Sequence, residues 1–176
     1  MTGGSSPNDP QHRDPQHGEW ERLAQAAAER APDVHCVDEI VQLLSFELDD
    51  SPYAVPVERV REIVRMRPIT PVPRVPASVR GVISLRGEII EVIDICLRLE
   101  LEPIELNRRT RIIVVNLEDG QPAAILVDAV REVLRVPRDS IRPAAASDTG
   151  AIESLCAVGD RFVSLIELNR VLEIHA

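Results

Sequence analysis

The sequence contains no lysine: its twenty fixed cations are all arginine. Arginine presents a planar fork suited to pairing with carboxylates, so the cationic chemistry is biased toward ion pairs with Asp and Glu. Aromatic residues are almost as scarce, being limited to Trp20, Phe46, Tyr53 and Phe162. The core must therefore be aliphatic. With a net charge of −9 as well, the chain is a poor nucleic-acid binder, because phosphate contacts dominate that affinity and there are few rings for bases to stack on. The three cysteines, Cys36, Cys96 and Cys156, are odd in number and far apart, with no CxxC and no Cys/His cluster. That excludes a disulfide framework and a zinc site. Histidine is missing from Ile40 to Ile174, since His12, His17, His35 and His175 all lie near the ends. No Ser/His or Cys/His dyad can sit in the body of the chain. Neither GxxxxGK[ST] nor GxGxxG occurs, so no phosphate cradle is expected. No apolar run approaches the ~20 residues of a membrane span. No basic n-region with an apolar h-region opens the chain. These absences describe a cytoplasmic protein with no catalytic residues, no cofactor and no metal. Asp94 and Glu62, each flanked by apolar residues, read as carboxylates neutralised by Arg or capping a turn, in preference to an acid/base pair.

What is present is a repeat. AVPVERVREIVRM (Ala54 to Met66) aligns without a gap on AILVDAVREVLRV (Ala124 to Val136), with six identical positions that include Val60/Val130, Arg61/Arg131 and Glu62/Glu132. Gly87-Glu88 followed by IIEVIDI similarly resembles Gly159-Asp160-Arg161 followed by FVSLIEL. A small β module is used twice, which gives two related surfaces.

Composition divides the chain. Residues 1–39 carry three Arg against eight Asp/Glu, whereas 40–176 carry seventeen against twenty-one. The first eighteen are rich in Gly, Pro, Ser, Asp and His with almost nothing apolar, the composition of a disordered tail. Trp20, Leu23, Ala24, Ala27, Ala28 and Ala31 form one apolar stripe and predict a short amphipathic helix over about 20–31, ended by Pro32. From Ile40 onward short β segments alternate with Gly, Pro and Asp turns. Five strands are expected over about 40–97, then an acidic linker, then five more over about 108–166, and a closing helix over 167–174. Strands of this length and spacing predict an all-β fold of two five-stranded β-barrels packed pseudo-symmetrically. Whether a strand is exchanged between the barrels stays open. Four prolines in PITPVPRVPASVR predict a stiff, extended connection instead of a central strand. Seven Arg fall between Arg59 and Arg86, either a patch for a protein partner or a solvated face.

The sharpest pair is Arg86 with Glu62. Arg86 sits at the tip of a tight turn after GVISL, and Glu62 lies on a neighbouring predicted strand. If those strands meet, a bidentate guanidinium–carboxylate bridge forms.

RGVISLRGEIIEVIDI (Arg80 to Ile95) resembles the signature of the CheW family of bacterial chemotaxis coupling proteins. FELDDSPYAVPVERVREIV, PITPVPRVPASVRG and ILVDAVREVLRV resemble that family's opening hairpin, its proline-rich lead-in and its second-half segment. Together these motifs cover about Ile40 to Ile174. The resemblance implies a non-catalytic scaffold that binds the cytoplasmic tip of methyl-accepting chemoreceptors and the regulatory domain of a CheA-type histidine kinase. Such a protein is cytoplasmic and recruited to membrane receptor arrays. It also implies that Arg86 and Glu62 form a structural bridge beside the binding groove, and that Val60 and Gly81 lie in regions tied to receptor or kinase binding. Ile113 and Val130 join Val60, Gly81 and Arg86 as expected contact residues. Three positions depart from the family pattern: Ser84 stands for Asn, Glu91 for Pro, and Cys96 for a basic residue. The alternative is the same fold used as an interaction module with other protein partners, in a motility or developmental pathway.

Overall fold

Leu43 and Leu44 are adjacent and both buried, yet they belong to different apolar clusters. Successive residues of a strand point to opposite faces, so this strand is packed on both sides. That one fact sets the architecture. The computed structural model describes residues 39–144 and 150–173. The expected acidic tail, the helix over 20–31 and residue Ile174 lie outside the described residues.

The elements in chain order are β1 (Ile40–Leu48), β2 (Ser51–Pro56), β3 (Val60–Arg65), β4 (Val79–Leu85), β5 (Glu88–Asp94), α1 (Ile95–Arg98), β6 (Arg111–Asn116), β7 (Pro122–Val127), β8 (Ala129–Pro137), β9 (Ile141–Pro143), β10 (Ile152–Val158), β11 (Arg161–Ile166) and α2 (Leu168–Leu172). One sheet runs β3-β6-β7-β5-β4, and the other runs β8-β1-β2-β11-β10-β9. The fold is all-β with two modules, as expected. The two orders are the same when β3, β6, β7, β5 and β4 are matched to β8, β1, β2, β11 and β10. The repeat read in the sequence is therefore a repeat of topology. Its register agrees as well: Ala54 lies opposite Leu165 and Ala124 opposite Val92, the partners that the alignment makes equivalent.

Barrels contiguous over about 40–97 and 108–166 are not what the strands build. Each half lends its first hairpin to the other half's sheet, so the exchange left open above is reciprocal and involves hairpins. The reason is burial. β6 and β7 read IIVV and AAILV, continuous apolar runs with no polar face to give to water. β3 instead alternates half-buried and exposed residues and forms an edge. The doubly apolar hairpins take the inside. Leu44, Phe46 and Val55 from one sheet share a core with Ile90, Ile112 and Ile125 from the other. A second cluster, with Leu43, Val136, Cys156 and Val163, fills the second module alone. β2 and β7 join β11 and β5 in parallel, and the chain then crosses into the other sheet, through a 3-10 turn at Val57–Arg59 after β2 and through Asp128 after β7.

Two elements escaped the sequence reading. α1 is a single turn capped by Asp94, whose carboxylate accepts from the Cys96 N–H at 3.1 Å. β9 was expected as loop, but Ile141–Pro143 pairs with Ser154–Cys156. The closing helix is shorter than expected, because Glu167 is its cap: the side chain accepts from the Asn169 N–H.

Candidate functional site

The edge strands of the first module, β3 and β4, are brought together by side chains. Arg61 reaches Glu88 at 2.6 Å, Arg86 reaches Glu62 at 3.3 Å, and Arg67 Nη1 donates to the Ser84 carbonyl at 2.8 Å. The proline-rich connection helps, since Thr70 and Val82 exchange both backbone hydrogen bonds at 2.9 Å. β5 leaves β4 through Arg86-Gly87, a two-residue turn with φ of 50° and 88°. Positive φ at both central residues defines a type I′ turn, which matches the twist of the strands it joins. This turn carries Arg86 over β3.

The Glu62–Arg86 pair therefore exists, but without the bidentate geometry. One guanidinium nitrogen meets one carboxylate oxygen, and the Arg86 side chain is 75% exposed against 19% for Glu62. Exposed pairs of this kind contribute about 0–1 kcal/mol. Arg86→Ala keeps a Cβ at the same left-handed position, so it isolates the side chain. Its melting midpoint by circular dichroism is expected to stay close to the parent's, within about 1 kcal/mol of stability. A loss of several kcal/mol would show a bridge far stronger than this geometry.

The remaining expected contact residues separate. Val60 and Val130 occupy equivalent places on β3 and β8, half-buried and packed on the shared core. Ile113 is fully buried in β6 and presents nothing to a partner. Gly81 is buried too, with φ of 137°, and the Thr70 backbone covers it. Both are corrections: Ile113 and Gly81 build the module and do not line its surface. The seven-Arg stretch is not a patch of free cations either. Arg59, Arg61, Arg67, Arg80 and Arg86 are each held by a partner.

The structure adds three features to the sequence reading. Asp94 is completely buried, and Arg80 lies 3.1 Å from its Oδ2. The same carboxylate accepts from the N–H groups of Cys96 and Ile104, while Arg80 Nη2 donates to the Ile104 carbonyl at 2.8 Å. Burial and the neighbouring Asp94 charge push the Cys96 thiol up to about 12. Glu47 bridges Arg109 and Arg131. Finally, Ile89 and Phe162 are 75% and 70% exposed, and they are repeat equivalents at the tips of the β4–β5 and β10–β11 hairpins. The alignment of IIEVIDI with FVSLIEL held this last signal.

Among the described residues no group of three or more His, Cys, Asp and Glu is placed to hold a metal ion, and no helix is long and apolar enough to cross a membrane. The CheW-like domain model matches residues 42–175. The chemotaxis protein CheW of Rhizobium meliloti (strain 1021) is 34% identical over 134 residues, covering 74% of this chain and 86% of that one. The chemotaxis protein CheW of Helicobacter pylori is 30% identical, covering 77% and 84%. The crystal structure of the scaffolding protein TtCheW from Thermoanaerobacter tengcongensis superimposes with a TM-score of 0.72 at 32% identity, covering 77% of this chain and 94% of that one. A twice-used module, its motifs in order and its partners in sequence and structure agree: the chain belongs to the CheW family of chemotaxis adaptors.

Proposed function

We propose that this protein is a non-catalytic scaffold that couples the cytoplasmic tip of methyl-accepting chemoreceptors to the regulatory domain of a CheA-type histidine kinase. The observation that carries the reading is the pair of equivalent surfaces. A coupler needs two docking faces on one rigid body. The two modules share a single core and offer, at matching positions, an edge strand with an exposed aliphatic residue (Ile63 and Val133) and a hairpin tip with an exposed large one (Ile89 and Phe162). Binding both partners at once makes the second contact effectively intramolecular and raises the kinase's local concentration at the receptor. The protein acts in the cytoplasm and reaches membrane arrays through its partners. Val60 and Arg86, on and above β3, are the residues assigned to partner contact from the first module, and Val130 from the second.

The test is a pull-down in which the full chain is offered a CheA-type regulatory domain and a receptor cytoplasmic fragment, separately and together. The expected result is capture of each, and a ternary complex with both. Failure to retain the kinase domain above background would overturn the reading. Removal of residues 1–39 is expected to leave kinase capture intact. Loss of capture on that deletion would favour an interaction module whose specificity lies in its N-terminal segment.

A further inference from the structure

α2 is only five residues long, and two arginines from the first half of the chain reach across to hold it. At its first turn Arg59 Nη2 donates to the Asn169 side-chain oxygen at 2.9 Å, and Arg59 Nη1 lies 3.8 Å from Glu118. At its far end Arg98, the last residue of α1, donates from Nη2 to the Glu173 carbonyl at 2.9 Å. Both clamps are incomplete. Arg59 Nε and Arg98 Nε are the two buried side-chain nitrogens without a hydrogen-bond partner among the described residues. A buried donor left unpaired costs its desolvation, so each clamp is held against a penalty. The repeat shows a second imbalance. Asp94 and Glu167 are equivalent in the alignment, and each caps the short helix that follows it. In the first module the bulge residue Arg80 balances Asp94. The β10–β11 register slips between Ile152 and Ser154, so the bulge residue there is Glu153. A carboxylate stands where the first module has a guanidinium. Glu153 and Glu167 line a cavity of about 170 Å³ together with Glu58 and Glu118, and Arg59 is its one cationic residue among those described. The second module thus borrows its counter-charge from the β2–β3 crossover, from the residue just before Val60.

We propose that α2 is a strap that opens and recloses as a unit while the rest of the fold stays intact. Closed, it ties Arg59 and Arg98 across the seam between the two halves of the chain, and its Leu168, Val171 and Leu172 fill one end of the shared core. Open, both guanidiniums complete their hydrogen bonds with water, and Arg98 passes to Glu91. Burial raises the Glu91 carboxyl and the Arg98 charge lowers it, while Arg98 itself is bonded to Glu173 in the closed form. Three buried aliphatic side chains favour closure. Two unpaired donors and the facing carboxylates Glu153 and Glu167 oppose it. Local opening belongs to segments poised in this way, with few contacts to spare. Opening removes two of the ties between the halves. Because Arg59 adjoins the start of β3, the first anchor of the strap moves with that edge.

The test is native-state hydrogen exchange of the full chain, followed by two-dimensional NMR. The reporters are the Val171 and Glu173 amides, which donate to the Glu167 and Asn169 carbonyls. The control is the Ile113 amide, in a strand paired on both sides. In the parent, exchange at the reporters is expected to be insensitive to low urea, the mark of local opening, whereas Ile113 follows global unfolding. Asn169→Ala removes the acceptor of Arg59 and is expected to speed the reporters about tenfold, the equivalent of one charge-assisted hydrogen bond, with Ile113 unchanged. Two variants should act in the opposite direction. Glu153→Arg gives Glu167 the counter-charge that Arg80 gives Asp94, and Glu91→Gln removes the carboxylate that receives Arg98 in the open form. Each is expected to slow the reporters several-fold. Reporters that share the rate and urea slope of Ile113 would overturn the proposal. So would an Asn169→Ala effect equal at the reporters and at Ile113, or parent-like exchange in either carboxylate variant. No partner enters this experiment, so its failure leaves the pull-down result standing, and the reverse holds too.

Discussion

Asp94→Ala is expected to lower the stability of the fold by up to about 3–5 kcal/mol, the cost of breaking a buried ion pair by removing one partner, reduced by the water that reaches the partly exposed Arg80. Asp94 is fully buried, and four groups depend on it: the Arg80 Nε and Nη2 atoms and the N–H groups of Cys96 and Ile104. Without the carboxylate, the Arg80 guanidinium keeps the Ile104 carbonyl and loses the one counter-charge it has among the described residues. The first turn of α1 loses its cap, and an orphaned N-cap alone costs about 1 kcal/mol. The linker loses its anchor at Ile104. Because a domain of this size has only about 5–15 kcal/mol in hand, the midpoint of urea unfolding should fall steeply. Asp94→Asn is the informative companion. The amide still accepts hydrogen bonds but no longer balances Arg80, so it should recover part of the loss. A parent-like urea midpoint for Asp94→Ala would show the interaction to be dispensable.

This pair also marks where the sequence stops being legible. The motif around Asp94 is easy to see, and its reading as a carboxylate neutralised by Arg or capping a turn is correct on both counts. Which Arg neutralises it is not visible. The β4–β5 register slips between Val79 and Gly81, leaving Arg80 as the extra residue of a bulge. A bulge re-aims a side chain without any signature in hydrophobic alternation. The same limit hid α1, a single turn too short for a helical period, and β9, three residues that end on Pro143 and run into an Ala-rich stretch that reads as loop. Ten of the strands were legible because each is either an alternating run or a continuous apolar one between turn residues. The exchange of hairpins was legible in principle. Continuous runs such as RIIVVN say that both faces are buried, but only the parallel pairing of β5 with β7 says against what.

The contact residues were less legible than the fold for a related reason. Val60, Ile113 and Val130 are all aliphatic residues in strands. A sequence cannot tell a half-buried edge position from a central one, and the structure puts Ile113 at 0% exposure. The repeat carried more information than any single residue type. Aligning Ile89 with Phe162, and Glu88 with Arg161, separates what both modules keep from what one of them has changed. The kept part is the pair of exposed apolar tips, and the changed part is the charge across the module edge.

Gly81 gives the second large effect. It occupies φ of 137°, a backbone region that side-chain-bearing residues rarely adopt, and a Cβ added there would strike the Thr70 carbonyl oxygen, with Thr70 C at 2.8 Å and the Ile69 side chain at 2.9 Å. The obstacle is mostly backbone, so a rotamer change cannot remove it. Strain in such a conformation costs about 1–3 kcal/mol, and forcing extra volume into a packed site costs roughly 1–3 kcal/mol more. Gly81→Ala is therefore expected to destabilise by several kcal/mol. Hydrogen exchange should localise the damage to the Thr70 and Val82 amides, whose paired bonds hold the proline-rich connection against β4. The effect on partners then follows indirectly. That connection runs from β3 to β4, and the Arg86 turn lies at the end of β4, so loosening it frees the edge on which Glu62 and Arg86 meet. A Gly81 variant that kept parent-like exchange at Thr70 and Val82 but lost kinase or receptor capture would show that this glycine touches a partner after all.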